Sequence, residues 1–210
     1  MNAYREKILG AIDRDMPPAD IVLNGVKTRG DHDLNPDEWV EPSERKNLRL
    51  AAVLVPLIER GEGVFVLLTR RADHLNSHSG QVAFPGGKVE EGESPAEAAL
   101  REAEEEVGLD PSLVEIAGFL DPYETGTGFR ILPVVGFVKP DFTLKIDPNE
   151  VAEAFEVPLS FLMNPDHHER HSIMWRGKRR AYYAMPYEGH YIWGATAGML
   201  KNMYDRVYAP

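Results

Sequence analysis

The chain contains no cysteine among its 210 residues, and this absence restricts its chemistry. A disulfide framework, a thiolate nucleophile and a thiolate zinc site are all excluded. Any metal must therefore be bound by oxygen or imidazole ligands, because these are the other common donors in proteins.

Long apolar segments are also missing. No stretch approaches the roughly 20 apolar residues of a membrane-spanning helix. The N-terminal residues, MNAYREKILGAIDRD, lack the apolar run of a secretory signal. We therefore expect a cytoplasmic protein without a membrane partner.

Positive charge is scarce, with 23 basic side chains against 34 acidic ones and a net charge of -11. Such a chain repels a nucleic-acid backbone, so nucleic acid is not an expected partner. A phosphorylated small molecule would be repelled as well, unless bound cations lie between it and the protein.

The apolar pattern divides the chain into an arm and one domain. Residues 1–45 are predicted to form an N-terminal arm, with a short amphipathic helix over 1–14 and an extended Pro- and Asp-rich connection. Residues 46–207 are predicted to form the domain. The predicted strands cover Leu48–Ile58, Val64–Thr69, Gln81–Phe84, Leu113–Leu120, Arg130–Lys139 and Val151–Val157, and a last helix covers Ala195–Arg206.

A central helix has clear start and stop signals. Ser94-Pro95-Ala96-Glu97 has the sequence of a capping box with proline at the first helical position, and Gly108 is a typical stop. The mixture of strands with a few helices predicts an α/β (α+β) sandwich.

Three acidic residues share one face of that helix. At about 100° per residue, Glu102, Glu105 and Glu106 lie together, away from the apolar positions. Like charges at this spacing destabilise a helix, and a bound cation would reverse that cost. Carboxylate oxygens favour Mg²⁺ or Mn²⁺. A solvated acidic face is the alternative for such a run when it is considered alone.

The run does not stand alone. Gly87, five residues, Glu93, seven residues and then Arg101-Glu102-Ala103-Glu104-Glu105-Glu106-Val107-Gly108-Leu109 resemble the signature of the Nudix hydrolases. Ala103, where that family usually has a larger aliphatic residue, is the one departure, and it lies on the packing face.

The resemblance implies a Nudix α/β/α sandwich with a mixed sheet and a catalytic loop-helix-loop. It implies metal ligation by Glu102, Glu105, Glu106 and the Gly87 carbonyl, with Mg²⁺ or Mn²⁺ as cofactor. It also implies hydrolysis of a diphosphate without a covalent intermediate. The family's general base varies, and Glu102, Glu106 or Glu150 could serve here.

The resemblance also gives roles to residues outside the metal ligands. Glu93 and Arg101 are expected to form an orienting ion pair. Gly86, beside Gly87, has the side-chain-free backbone that a loop approaching a diphosphate requires.

The residues before this helix narrow the substrate. Leu67-Leu68-Thr69-Arg70, Leu75 and His78–Gly87 resemble the upstream motif of the coenzyme A (CoA) pyrophosphatase branch. Segments further along the chain resemble the same branch: Thr127–Phe129, Pro133–Gly136, Glu150-Val151, Val157–Leu159 and Ile192–Ala197. The branch cuts CoA into 4′-phosphopantetheine and adenosine 3′,5′-bisphosphate and often accepts acyl-CoAs.

Candidate substrate contacts come from the same region. Arg70 could pair with a phosphate, His78 could bond the loop or the ligand, and Gly86 and Lys88 flank the loop. A cationic partner for the 3′-phosphate could be Arg71, Lys88 or the run from 176 to 180, which is otherwise a solvated hairpin tip. His168 and His171 invite a zinc interpretation, but a surface loop is the expected structure there.

Several alternatives remain open from the sequence. The substrate could instead be ADP-ribose, a dinucleoside polyphosphate or a nucleoside triphosphate, and a ligand-binding module without turnover is a rival of another class. A homodimer is also left open.

Overall fold

The computed structural model describes residues 3–25, 28–38, 48–61, 63–75, 78–175 and 177–208. The predicted boundary between residues 45 and 46 lies outside the described residues, so the division into arm and domain stays a prediction. None of the described helices is both long and apolar enough to cross a lipid bilayer.

Nine strands of the described residues form one mixed sheet. In chain order they are β1 (Arg29–Gly30), β2 (Arg49–Arg60), β3 (Gly63–Arg71), β4 (Val82–Ala83), β5 (Gly86–Lys88), β6 (Val114–Phe119), β7 (Tyr123–Glu124), β8 (Phe129–Val138) and β9 (Val151–Pro158). The main order is β1-β7-β8-β2-β3-β4. β5 also pairs with β2, β6 with β8, and β9 with β3.

The centre of this sheet is buried on both faces. β2 runs parallel to β8 and antiparallel to β3, and its residues from Ala51 to Ile58 are all buried. A strand covered on both faces is expected to be continuously apolar rather than alternating, which the sequence of β2 satisfies.

Five α-helices of the described residues lie on the two faces of the sheet or next to its strands: α1 (Ala3–Leu9), α2 (Ala19–Asn24), α3 (Pro95–Val107), α4 (Leu159–Leu162) and α5 (Ala195–Tyr208). One apolar cluster joins α2 and α3 to Ala52, Leu54 and Leu67 of the sheet. The other joins α1, α4 and α5 to Val53, Val55 and Leu68. The predicted mixed α+β sandwich is therefore confirmed.

A smaller antiparallel sheet was not predicted. It consists of β10 (Glu169–Trp175), β11 (Lys178–Tyr187) and β12 (His190–Trp193) in that order. β10 is exposed along almost its whole length, so it has no burial pattern that could have marked it. Its pairing with β11 makes it a strand, and the expectation of a surface loop around His171 is wrong.

The N-terminal residues pack against the sheet. The helix predicted over 1–14 is shorter, since α1 is followed by a turn at Gly10, but Ile8 and Ile12 are buried in the core. The expected extended connection contains α2, and β1 pairs in parallel with β7. The side chain of Arg130, 1% exposed, donates from Nη1 to the carbonyl oxygens of Val22 at 3.0 Å and Leu23 at 2.6 Å.

Candidate active site

Helix α3 begins with the capping box expected from the sequence. Ser94 Oγ accepts from the Glu97 amide at 3.3 Å, and Glu97 Oε2 accepts from the Ser94 amide at 2.8 Å. Two amide groups that have no partner inside the helix are satisfied in this way. The helix start is thereby fixed by local sequence, which sets the rotation at which the later glutamates project.

The end of α3 is tied to the segment that leads to Glu150. Gly108 adopts the left-handed conformation, with φ 70°, and its amide bonds back to the helix. The last turn of the helix then accepts from two amides of the following loop, Lys145 to the Val107 carbonyl at 2.8 Å and Asp147 to the Glu106 carbonyl at 3.0 Å. The loop carrying Glu150 is therefore held against the end of α3.

The three glutamates of α3 differ in exposure. Glu106 is 3% exposed and sits on the packing side, next to Ala103 and Val107. Glu102 is partly buried, whereas 59% of the Glu105 side chain is exposed. Exposure therefore increases from Glu106 through Glu102 to Glu105, and the side of α3 that carries these three residues is called its acidic edge.

The Gly86-Gly87 loop predicted from the sequence is the short strand β5 in the structure, where pairing with β2 extends its backbone, and it crosses this edge of α3 closely. A Cβ atom on Gly87 would lie 2.3 Å from Glu102 Oε1, and one on Gly86 would lie 2.4 Å from the Ala52 carbonyl oxygen. A side chain at position 86 would clash with backbone, whereas one at position 87 would have to displace the Glu102 carboxylate. The Gly86 amide also donates to Glu106 Oε2 at 3.3 Å, so two of the glutamates are held at the loop backbone.

Burial and mutual repulsion raise the pKa of two glutamates on this side of α3. Burial raises the pKa of Glu106 to about 8, and the nearby Glu102 and Glu150 carboxylates add to the shift. Burial likewise raises the pKa of Glu102, with Glu105 and Glu150 contributing. Acidic groups that repel each other in a poorly solvated place hold protons more tightly unless a cation compensates.

Glu150 is the fourth carboxylate of the group. It lies in an exposed turn before β9, and its carbonyl accepts from the Ala72 amide at 2.9 Å. Its charge acts on both Glu102 and Glu106. The fold thus brings the charge of Glu150 within electrostatic range of Glu102 and Glu106, although more than 40 positions separate Glu150 from them along the chain.

Glu93 and Arg101 form a two-point ion pair. Arg101 Nε donates to Glu93 Oε1 at 2.9 Å, and Nη2 donates to Glu93 Oε2 at 3.1 Å. These hydrogen bonds hold the pKa of Glu93 below its usual range. Arg101 Nη1 also reaches Glu102 Oε1 at 3.0 Å and Glu105 Oε2 at 3.1 Å.

The donor set fits a hard divalent cation, although the side chains are not arranged as a finished ligand shell. Within the described part of the chain, no group of three or more His, Asp or Glu side chains is close enough together to hold a metal ion. The carboxylates of Glu102 and Glu105 are instead both paired with Nη1 of Arg101. Carboxylates and a backbone carbonyl at Gly87 are the oxygen ligands that Mg²⁺ and Mn²⁺ take.

The predicted substrate contacts are placed differently from one another. Arg70 pairs with Asp73 at 2.9 Å and with Glu153 at 3.5 Å, so it is turned away from the glutamates of α3. Its neighbour Arg71 lies beside the glutamates of α3 instead, with Nη1 3.8 Å from Glu106 Oε1. Successive side chains of β3 point to opposite faces of the sheet, which separates Arg70 from Arg71. The sequence does not show which face each arginine takes, because β3 is apolar on both faces.

The remaining candidates lie around the loop. His78 has φ 58° and its Nδ1 is 2.9 Å from Gln81 Oε1, so it braces the segment before the loop. The Lys88 side chain is exposed, and its carbonyl accepts from Arg101 Nη2 at 3.2 Å.

The histidines after Pro165 do not come together as the zinc interpretation requires. His168 Nε2 is bonded to the Leu162 carbonyl at 2.7 Å, whereas His171, in β10, pairs with Glu169. The predicted turn at Gly177 is present between β10 and β11, with φ 78°. Position 176 of the basic run lies outside the described residues.

Comparison with known proteins identifies the family. The model of the NUDIX domain matches residues 48–176. The uncharacterized Nudix hydrolase NudL of Escherichia coli K12 is 42% identical over 161 residues, covering 76% of this chain and 83% of that protein. NudL of Shigella boydii gives the same identity over 161 residues and the same coverage, 76% and 83%.

A solved structure agrees in fold. A Deinococcus radiodurans protein superposes with a TM-score of 0.50 at 16% identity, over 79% of this chain and 88% of that one. At this identity the likeness concerns the fold alone. The family match and the identity with NudL, by contrast, cover the glutamate helix itself, and this chain belongs to the Nudix hydrolase family.

Proposed function

We propose that the protein is a divalent-metal-dependent diphosphate hydrolase that cuts coenzyme A and acyl-CoAs. The products are 4′-phosphopantetheine, or its acyl form, and adenosine 3′,5′-bisphosphate. The observation that carries the hydrolase is the position of Glu102 and Glu106 of α3 directly against the backbone of Gly87 and Gly86. Family membership supports the same class of reaction, cleavage of a phosphorus anhydride.

The chain's own carboxylates would hold the cation. Glu102, Glu105 and Glu106 supply side-chain oxygens, and the carbonyl of Gly87 adds a backbone oxygen. When bound, Mg²⁺ or Mn²⁺ supplies Lewis-acid stabilisation of the charge on the diphosphate. Net repulsion between an acidic protein and an anionic substrate is relieved at the same place.

A glutamate would take the proton of the attacking water. Glu150 is exposed and its charge acts on Glu102 and Glu106, whereas Glu106 itself is enclosed by the core and the backbone of Gly86. A base must reach the water that approaches the phosphorus, and an exposed side chain at the rim satisfies that requirement better than an enclosed one. Among the three candidates, Glu150 is therefore our choice for the base.

The choice of CoA rests on the segments outside the glutamate helix. His78–Phe84 lies just before Gly86 in the chain, and Leu67–Arg70 is held beside it through the pairs Thr69–Ala83 and Arg70–Val82 of β3 and β4. The position of these two segments next to Gly86 supports the choice of CoA. The nearby relatives do not add to this choice, because NudL is itself uncharacterized.

A substrate panel tests both halves of the proposal. The purified protein is incubated with Mg²⁺ or Mn²⁺ and CoA, acetyl-CoA, ADP-ribose, NADH or diadenosine polyphosphates, and the products are separated. We expect adenosine 3′,5′-bisphosphate from CoA and acetyl-CoA, and none after chelation of the metal. Turnover of ADP-ribose with none of CoA would overturn the substrate, and intact substrates throughout would favour a binding module.

A further inference from the structure

Strand β3 presents its two neighbouring arginines to opposite faces of the sheet. Leu67 belongs to the apolar cluster under α3, and Leu68 belongs to the cluster under α5. Side chains alternate along a strand, so Arg71 shares the face of Leu67 and Arg70 shares that of Leu68. The two positions are therefore not interchangeable, although both carry the same side chain.

The contacts agree with this assignment. Arg70 is paired with Asp73 and Glu153, which lie outside the glutamate group. Arg71 approaches Glu106, the most buried member of the group, at 3.8 Å from Nη1 to Oε1. That distance is an ion pair but is too long for a hydrogen bond.

Arg71 has hydrogen-bonding capacity to spare. Its Nε atom is buried and has no hydrogen-bond partner among the described residues. A buried donor without an acceptor is unfavourable, and buried polar groups in folded proteins are normally paired. The Nε donor of Arg71 lies next to carboxylates but needs an acceptor that the described part of the chain does not provide.

We propose that this acceptor is a phosphate oxygen of the substrate, so that Arg71, and not Arg70, is the diphosphate-binding arginine of β3. This inference rests on the proposed function. The planar guanidinium matches the geometry of a phosphate group and stays charged at any working pH. Glu106 holds the guanidinium at the metal-binding edge without using its Nε donor, which leaves that donor for the ligand.

The test compares Arg71→Gln with Arg70→Gln, two identical changes one residue apart. Steady-state kinetics with CoA and Mg²⁺ gives KM and kcat. Calorimetric titration with α,β-methylene-ADP and Mg²⁺ gives the Kd of an uncleaved diphosphate. For Arg71→Gln we expect KM and Kd to rise about 10- to 100-fold, the loss of a charged hydrogen bond. For Arg70→Gln both should stay within about threefold, as for an exposed ion pair.

Two controls separate binding from structural effects. Arg71→Lys keeps the charge without the fork and should recover part of the affinity. The affinity for Mn²⁺ alone, measured by electron paramagnetic resonance, should change little in Arg71→Gln. A loss of Mn²⁺ affinity equal to the loss of ligand affinity would mean that Arg71 acts only through Glu106, and the inference would be overturned.

The remaining outcomes are also decisive. Equal effects at positions 70 and 71, or an unchanged Kd in Arg71→Gln and Arg71→Lys, would refute the role of Arg71. So would a wild-type protein that does not bind the methylene diphosphate. If the wild type binds this probe through Arg71 yet cleaves no substrate of the panel, the proposed function fails and the role of Arg71 stands.

Discussion

The guanidinium of Arg101 donates two parallel hydrogen bonds, 2.9 and 3.1 Å long, to the carboxylate of Glu93. Arg101 belongs to α3, Glu93 precedes the helix, and a further bond from Arg101 reaches the Lys88 carbonyl in β5. One side chain thus joins the helix to the loop that carries Gly86 and Gly87.

Arg101→Lys should weaken the connection between α3 and the segment from Gly86 to Glu93. A lysine cannot make the two-point bond to Glu93 while also reaching the Lys88 carbonyl. We expect the stability to fall by about 1 kcal/mol or less, since the pair is partly exposed. Activity should fall more, about tenfold, because small displacements of catalytic groups slow reactions strongly.

Hydrogen exchange provides the measurement for Arg101→Lys. Faster exchange of the amides in residues 86–94, with unchanged exchange in β8, would show that the loop has been released from the helix. Wild-type exchange in that segment together with lost activity would contradict the account.

Glu105→Gln should remove most activity without unfolding the protein. Glu105 is largely exposed, so its replacement does not disturb the core, and losing one carboxylate near Glu102 relieves repulsion. We expect kcat with Mg²⁺ to fall by about two orders of magnitude or more if the cation is lost or displaced. The melting temperature should be unchanged or slightly higher.

The matched control for this change is Glu104→Gln. Glu104 is the preceding residue and is also exposed, and at about 100° per residue it projects roughly 200° around the helix from Glu102 and Glu106. Its replacement should leave both activity and Mn²⁺ binding at the wild-type level. Equal losses in the two variants would show that the acidic run acts only through its overall charge.

Gly87→Ala should displace a single carboxylate. The added Cβ would meet Glu102 Oε1 at 2.3 Å, and the end of a glutamate side chain can move aside more easily than backbone. We therefore expect a folded protein with weakened Mn²⁺ binding, measured by titration. Gly61→Ala is the control, because its Cβ would meet nothing within 4 Å.

The result for Gly87→Ala would contradict the proposed ligand set in one case. If Mn²⁺ affinity and turnover both equalled those of Gly61→Ala, neither the Glu102 carboxylate nor the Gly87 carbonyl would have a place in the site.

His168 should make the protein less stable in acid. Its Nε2 bonds the Leu162 carbonyl, its Nδ1 is buried without a partner among the described residues, and burial lowers its pKa. Protonation at Nδ1 would therefore add a buried donor that nothing accepts. As pH falls below about 6.5, the unfolded chain takes up this proton before the folded one does, and stability is lost.

His168→Gln tests this directly, because glutamine can keep the hydrogen bond to Leu162 but does not titrate. Its melting temperature at pH 7.5 should be lower than that of the wild type, since the edge contact with Tyr204 is lost. Its further drop between pH 7.5 and pH 5.5 should be smaller. The exposed His74→Gln should show the wild-type drop, and equal drops in all three proteins would refute the explanation.

The glutamate helix could be read from the sequence because its signals are local. Ser94 and Glu97 act on the first turn of the helix, and Gly108 acts on its last turn. The structure has the capping box and the left-handed stop where they were expected. The strands β2, β3, β6, β8 and β9 were also found within a few residues, because each contains several β-branched or aromatic apolar residues. Periodicity records burial directly, so the core elements of the Nudix fold are visible in the sequence.

Other features depended on distant partners. β10 has no burial pattern and becomes a strand only by pairing with β11. The charge of Glu150 acts on Glu102 because hydrogen bonds hold the loop after residue 144 against the end of α3. Arg70 and Arg71 could not be told apart until the face of Leu67 was known to lie under α3.

The sequence by itself determined the family, the helix and the types of ligand atom, because capping, periodicity and side-chain chemistry are properties of short segments. The tertiary structure alone decided which arginine meets the carboxylates and how deeply Glu106 is buried. Those depend on which face of β3 the helix covers, and that is set by packing between segments far apart in the chain.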